Sequence, residues 1–434
     1  MSITMTTVIL FAVFGVLLFL GVPISISIVA SSIVTAMSTL SWNQITFITM
    51  QKMNSGVESF SLLAVPLFIL AGNIMNNGGI AKRLVNFAQL FVGKIPGSMA
   101  QANILGNMLF GALSGSSVAA ASAMGGCISP IEEENGYDPA YSAAANIASA
   151  PTGLLIPPTS AFIVYSTVAG GVSISTLFMA GYIPGIIWAL CCCVVGVLLA
   201  IKLGYKGTPG KFDWKNLGVC TLRALPSLSL IIVVIGGIIG GVFSATEGSA
   251  IAVVYALVLA FCYRSINLKS LWKIIVDSAK MSGMVVFLVG VSNILGWVMA
   301  FLQIPDAVAA ALLSLTNNKY IILLIMNVIL LVSGTFMDVT PAILIFTPLF
   351  LPICQSFGMS TIQFGLILVY NLCIGNITPP VGNALFVGIK VGRTSLSKVM
   401  PYMLMYYVAI IGGLLLVTFI PAVSTALPQA MGLM

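Results

Sequence analysis

The chain has 434 residues, 59% of them apolar and 6% charged, with a net charge of +7 and no histidine. A soluble protein carries about a quarter charged residues, so a water-soluble globule is excluded, and long continuous apolar runs exclude an alternating β-barrel. Without histidine, a CxxC pair or a Gly-Lys-Ser/Thr phosphate loop, zinc, haem, Ser–His and ATP-driven chemistry have no residues to use, and neither an enzyme nor a cofactor is expected.

No short apolar segment ends in a small-residue cleavage site, so the amino-terminal run reads as a retained helix rather than a signal peptide. A crossing needs roughly 20 apolar residues. Spans are predicted near 5–21, 23–38, 56–77, 139–170, 177–201, 225–243, 247–263, 281–302, 360–390 and 399–422. The apolar regions 99–130 and 320–357 read as re-entrant hairpins. Segments 78–95 and 303–319 are less apolar; they fit arms between a moving and a fixed unit, or loops lying on the membrane surface. The eight cysteines, among them Cys191, Cys192 and Cys193, fall mostly inside apolar runs and read as small helix residues.

Charge orients this threading. Fifteen of the 17 basic residues lie in four clusters, around Lys82–Lys94, Lys202–Arg223, Arg264–Lys280 and Lys390–Lys398, and only Lys52 and Lys319 fall elsewhere. Ten crossings and two hairpins place all four clusters on one face, as cytoplasmic loops require. Both termini are then periplasmic. The positive charge concerns orientation among lipids and gives no ground for a nucleic-acid partner.

Two apolar stretches are cut by a double proline, at Asn146–Ser160 through Pro157-Pro158 and at Asn371–Asn383 through Pro379-Pro380. Proline removes a donor and clashes with the preceding turn, so each is a broken helix. Inside a membrane such a break survives only where it is buried in protein or lines a cavity. The landmarks recur: Asn73 and Asn293 are 220 residues apart, Ser114 and Ser333 are 219 apart, and the proline pairs are 222 apart. A duplication follows. With five crossings per half the copies are inverted, the pattern of secondary transporters. The predicted fold is therefore an all-α polytopic membrane protein of two inverted repeats, 1–201 and 225–434. A basic linker at 202–224 joins them, broken by Gly207, Pro209 and Gly210.

The chemistry lies where the breaks meet the hairpin tips. Unwound carbonyls at half-helix carboxyl ends suit Na⁺, and half-helix amino ends suit an anion. The first site draws on Ser114, Gly115, Ser116, Ser149, Thr152 and Asn73. The second draws on Gly334, Thr335, Asp338, Gly375, Thr378 and Asn293. Substrate contacts are placed at Ser116, Ser117, Pro157, Thr159, Pro379 and Asn383. Small residues also serve close helix packing; the proline breaks and the repeat mark these particular ones. Asp338 is the one acid inside a hairpin, a functional hypothesis by default. With no histidine and no second deep carboxylate, Na⁺ suits it better than a proton relay.

The Ser114-Gly115-Ser116-Ser117 tip, the Ala150–Thr159 break and the Gly375–Gly382 break together resemble the large membrane subunit of tripartite ATP-independent periplasmic (TRAP) transporters, across essentially the whole chain. The resemblance implies Na⁺-driven import of a carboxylate-bearing solute, sialic acid or a C4-dicarboxylate, through the bacterial inner membrane by an elevator motion. The overall look suggests the sialic-acid branch. Also implied are a periplasmic substrate-binding protein and a small four-helix membrane subunit, here a separate polypeptide. It extends the first ion site to Gly153. The rival readings are a stand-alone divalent-anion/Na⁺ symporter, whose paired Ser-Asn-Thr tips this chain lacks, and a channel, which would repeat its filter by oligomer symmetry.

Overall fold

Helix is the structure in which an apolar chain satisfies its own backbone without water, and the computed structural model is helical throughout its regular elements. It describes residues 3–207, 214–316 and 318–434. Pro209 and Gly210 of the expected linker lie outside the described residues.

The chain opens with α1 (Ile3–Phe19) and α2 (Ile24–Ala36), joined by a turn at left-handed Gly21 and Pro23. Next comes α3 (Trp42–Val57), which was not predicted. Its composition is mixed, so an apolar-run criterion passes over it. The signal was present as a capping box, in which Ser41 Oγ donates to Gln44 Oε1 at 2.8 Å and Ser41 N to the same oxygen at 3.0 Å. Then follow α4 (Ala64–Asn77) and α5 (Ile80–Val92), the latter covering most of the weakly apolar segment 78–95.

The first hairpin is α6 (Ser98–Ser114) and α7 (Ser117–Glu134). The first broken helix is α8 (Pro139–Ser149), α9 (Thr152–Leu155) and α10 (Ser160–Val168), and the long α11 (Ile174–Lys202) follows. After the linker come α12 (Trp214–Ile239), α13 (Ala245–Cys262), α14 (Leu268–Phe301) and the short α15 (Ile304–Leu315). The second hairpin is α16 (Lys319–Phe336) and α17 (Val339–Ser356), the second broken helix α18 (Thr361–Asn376) and α19 (Asn383–Val391). The chain ends with α20 (Leu396–Phe419) and α21 (Pro421–Ala430). Both proline pairs lie in the breaks, and both Pro–Pro bonds are cis.

The threading needs adjustment in number. Among the described residues, seven helices are long and apolar enough to cross a membrane, or eight with the first broken helix, whose limbs bend by 46°. Ten had been expected. The shortfall comes from α1, α2 and α18, apolar helices of 17, 13 and 16 residues, and from the apolar part of α12, Ala224–Ile239; Pro23 and the Pro379 break cut two of them short. Conversely, α16 and α17 are each long enough to cross, so length alone does not distinguish a hairpin there from two spans. Both pack on α18.

The centre of the protein lies where α8, α11, α18 and α20 meet. Trp188 is fully buried against Tyr370 with ring centroids 4.8 Å apart, and its Nε1–H donates to Ala148 O at 2.8 Å. Gly413 allows the approach, since a Cβ there would stand 2.3 Å from Tyr370 Oη. The indole thus ties α11 to the last turn of α8, just before the first break. Trp188→Phe leaves that carbonyl only the weak Cys192 Sγ donor at 3.5 Å and is expected to cost about 1 kcal/mol, read as a lowered melting temperature in detergent with insertion unchanged.

Candidate functional site

Each hairpin meets the broken helix of its own half through a pair of glycines. In the first, Gly111 of α6 lies against Gly153 of α9, where a Cβ on Gly153 would stand 2.5 Å from Gly111 Cα. In the second, Gly334 of α16 lies against Gly375 of α18, where a Cβ on Gly375 would stand 2.3 Å from Gly334 C. Backbones touch here because no side chain intervenes. Gly153, Gly334 and Gly375 were anticipated from sequence; Gly111 was not.

About one turn beyond each pair an asparagine fastens the hairpin to the helix. Asn107 Nδ2 donates to Ser149 Oγ at 2.8 Å and to Asn146 Oδ1 at 3.0 Å. In the other half Asn371 Nδ2 donates to Asn327 Oδ1 at 2.9 Å, and Asn327 Nδ2 to Thr418 Oγ1 at 3.0 Å. The buried Oδ1 atoms of Asn107 and Asn371 have no hydrogen-bond partner. A hard oxygen buried without a donor fits a Na⁺ ligand. Sequence reasoning passed over all four asparagines, because a polar residue within an apolar helix carries no label of what it faces.

At the first tip Gly115 is left-handed (φ +60°), and a Cβ on it would meet Pro158 O at 3.1 Å, so the tip rests on the double-proline break. Ser114 Oγ donates to Ser116 O at 3.5 Å, and Ser116 Oγ accepts from Ala119 N at the start of α7. Thr152 Oγ1 donates to Ser149 O at 2.7 Å. At the second tip Val381 N donates to Thr335 O at 3.2 Å, and Thr378 Oγ1 donates to Ile374 O at 2.7 Å. Asn376 joins the second break to the first tip: its Nδ2 donates to Ser117 Oγ at 3.2 Å while its Oδ1 accepts from Ala384 N at 2.9 Å. Asn376 sits inside the predicted second break but had been given no role.

Between the tips lies a cavity of about 450 Å³. Ser114, Gly115, Ser116, Ser117, Asn73 and Asp338 of the predicted residues line it, together with Asn76, Ser122, Ser160, Thr340 and Asn376. The amino ends of α7, α10 and α17 all open onto it. Asp338 precedes α17 but makes no side-chain capping bond, so its carboxylate is free to face the cavity. No lysine or arginine is among the lining residues.

Other predicted residues stand elsewhere. Ser149, Thr152 and Thr159 are fully buried, and Thr159 Oγ1 is engaged as the cap of α10, accepting from Ala161 N at 3.2 Å. Pro157, Pro379 and Asn383 do not line the cavity, and Asn383 is exposed on the far side of its break. Asn293 departs furthest from expectation. Its amide donates to Val289 O within α14, and the group packs on Gly56 of α3, where a Cβ would stand 2.4 Å from Asn293 Nδ2. Asn73, its counterpart by spacing, donates to Ser278 Oγ at 2.8 Å and lines the cavity. The difference is α3: the helix that sequence reasoning left out occupies the face that Asn293 presents.

Comparison with known proteins agrees with this architecture. The family model described as the DctM component of the tripartite ATP-independent periplasmic transporter matches residues 11–423. An uncharacterized protein YgiK of Salmonella typhimurium is 48% identical over 97% of both chains. The C4-dicarboxylate TRAP transporter large permease protein DctM of Pseudomonas aeruginosa is 37% identical, covering 87% of this chain and 88% of that one. The sialic acid TRAP transporter large permease protein SiaM of Vibrio cholerae is 32% identical over 95% and 96%. Among solved structures, the YdaH transporter of Alcanivorax borkumensis has a TM-score of 0.64 at 13% identity, covering 87% of this chain and 89% of that one, a likeness of fold.

The glycine contacts generate a direct test. Gly375→Ala places a methyl inside the Gly334 backbone and is expected to push the second hairpin off its helix. Hydrogen exchange across 331–338 should rise at least tenfold over wild type; unchanged protection would remove the contact from the site.

Proposed function

We propose, from the premise that this chain belongs to the DctM component family of tripartite ATP-independent periplasmic transporters, that it is the Na⁺-coupled transport subunit for an organic anion of the C4-dicarboxylate or sialic-acid class. The observation that carries the reading is the cavity onto which three helix amino ends open with hydroxyls and amides around them. Each helix end carries roughly half a positive charge, enough to favour a carboxylate without an Arg clamp. A volume of about 450 Å³ is ample for a solute of that class.

Na⁺ is assigned to the two hairpin–break junctions. The first takes Ser114–Ser116 and Ser149–Gly153, with Asn107 Oδ1 close by. The second takes Gly334–Asp338 and Gly375–Thr378, with Asn371 Oδ1 close by. The coupling follows from position, since the tips that hold the ions also wall the cavity. Binding of either ion would set the hairpin that frames the anion.

The inverted-repeat organisation, with halves 1–201 and 225–434 about the linker 202–224, is supported by matched contacts. Asn107 and Asn327 are 220 residues apart, Gly111 and Gly334 are 223 apart, and Gly153 and Gly375 are 222 apart. An elevator motion would carry the hairpins and broken helices past the wall formed by α4 and α14, whose Phe68, Asn73 and Met281 complete the cavity. A small four-helix membrane subunit and a periplasmic substrate-binding protein are the proposed partners, with the basic clusters cytoplasmic and both termini periplasmic.

The test is uptake of labelled succinate or sialate into liposomes holding this chain and its small subunit, under a Na⁺ gradient. Uptake should require the added binding protein, and uptake by this chain alone would sink the tripartite reading. Asp338→Ala and Thr378→Ala should each raise the Na⁺ concentration for half-maximal uptake by about tenfold, the equivalent of about 1.4 kcal/mol. Unchanged Na⁺ activation in both variants would remove them from the ion site.

A further inference from the structure

A carboxyl group far from the cavity has no use in the transport chemistry above. Glu132 lies in the last turn of α7, at the base of the first hairpin, where the chain turns through Tyr137 into α8. Its side chain is 0% exposed, and neither Oε1 nor Oε2 has a hydrogen-bond partner. The neighbouring Glu133 and Glu134 are not enclosed in this way. The Ser142 hydroxyl stands beside the carboxyl but makes no hydrogen bond of normal geometry with it, and Ser129 Oγ and Tyr406 Oη are likewise buried without partners.

An ionised carboxylate in that position is a buried, uncompensated charge, which proteins avoid by neutralising the group. Its position on the helix adds to the penalty, because a helix carboxyl end carries partial negative charge. The cation that lines a cavity with Ser129 and Ser142, Arg393, is itself exposed to water rather than sealed in with the carboxyl. Titratable neighbours in electrostatic reach are Tyr137, Tyr141 on α8 and Tyr406 on α20. Glu133 and Glu134 share its helix. Of the other elements packed on α7, α6 and α9 bring no charged group, α8 begins at Asp138, whose carboxylate accepts from Tyr402 Oη, α19 brings the exposed Lys390 and leads to the exposed Arg393, and α5 brings Arg83. Arg83 holds its guanidinium 3.2 Å over the Tyr263 ring. A metal ion is a poor alternative, since no group of three acidic, cysteine or histidine side chains forms among the described residues.

We propose that Glu132 is a proton-binding site at the base of the first hairpin, holding a proton while the base is packed as here and releasing it to water when the base opens. The reaction is a plain acid dissociation: the carboxyl O–H bond breaks, the proton goes to bulk water and the carboxylate is left exposed. Burial raises the carboxyl from its ordinary value to about 8. The packed base therefore holds the proton at neutral pH and an opened base does not. Between the ordinary value and about 8, each pH unit moves the balance up to tenfold toward the opened base; above about 8 the dependence levels off. Rising pH on that side of the membrane thus loosens the hairpin against α8, whatever the solute carried.

The experiment is an infrared titration of the purified full-length protein between pH 5 and 10. Wild type should show a protonated-carboxyl band that disappears with a midpoint near 8 and is missing in Glu132→Gln. Because the Ser142 hydroxyl lowers the affinity for the proton, Ser142→Ala should move the midpoint upward, which keeps the test valid if Glu132→Gln fails to fold. Hydrogen exchange over 128–142, corrected for the intrinsic pH effect, should rise with pH in wild type and stay flat in Glu132→Gln. A band with the same midpoint in both proteins, or no such band in wild type, would overturn the proposal. Neither measurement uses transport, so its outcome is separate from that of the uptake test.

Discussion

A backbone amide or carbonyl released from a helix inside a bilayer has no water to turn to, and every feature of this protein's centre follows from how that problem is solved. Two double prolines break α8–α10 and α18–α19, and each break is covered by the hairpin of its own half. Covering it requires backbone against backbone, which only glycine permits: Gly111 on Gly153, and Gly334 on Gly375. The covered carbonyls are then close to a second strand of the protein, held there by Asn107 and Ser149 on one side and Asn327 and Asn371 on the other. A cation bound at either junction, as proposed above, would satisfy groups that the break set free.

The cavity is a consequence of the same arrangement. A hairpin that reverses at its tip starts a new helix there, and the amino ends of α7 and α17 therefore open onto the space between the tips, with α10 beside them. Asn376 then spans the two halves by bonding Ser117 in one and Ala384 in the other. This side chain thereby links the second break to the tip of the first hairpin. The wall of α4 and α14 supplies the remaining face through Phe68, Ile69, Gly72, Asn73, Asn76, Met281 and Val285.

Much of this was legible in the residues. The composition, the proline pairs and the Ser-Gly tip each act through local geometry, and they located both breaks and six of the cavity residues. The misplaced residues share a different cause. Asn293 was paired with Asn73 by spacing, yet α3 covers it; α3 is of mixed polarity, and its start is marked only by the Ser41–Gln44 box. Ser149 and Thr152 lie behind the cavity at the first junction with their hydroxyls bonded to local backbone, and Thr159 is engaged as the cap of α10. Two of the expected crossings, α2 and α18, are short because an apolar run bounded by proline is shorter as a helix than as a string of letters.

What the sequence by itself determined was where this chain must bend and where it must stay dry, because proline, glycine and the scarcity of charge act through local geometry and solvation alone. What only the tertiary structure decided was which polar groups meet. Asn107 and Asn371 gain buried oxygens without partners, Asn376 becomes a bridge between halves, and Glu132 becomes a carboxyl sealed from water. Each of those outcomes depends on a neighbour dozens or hundreds of residues away, and the free energy of a buried polar group is set by that neighbour and not by the residue itself.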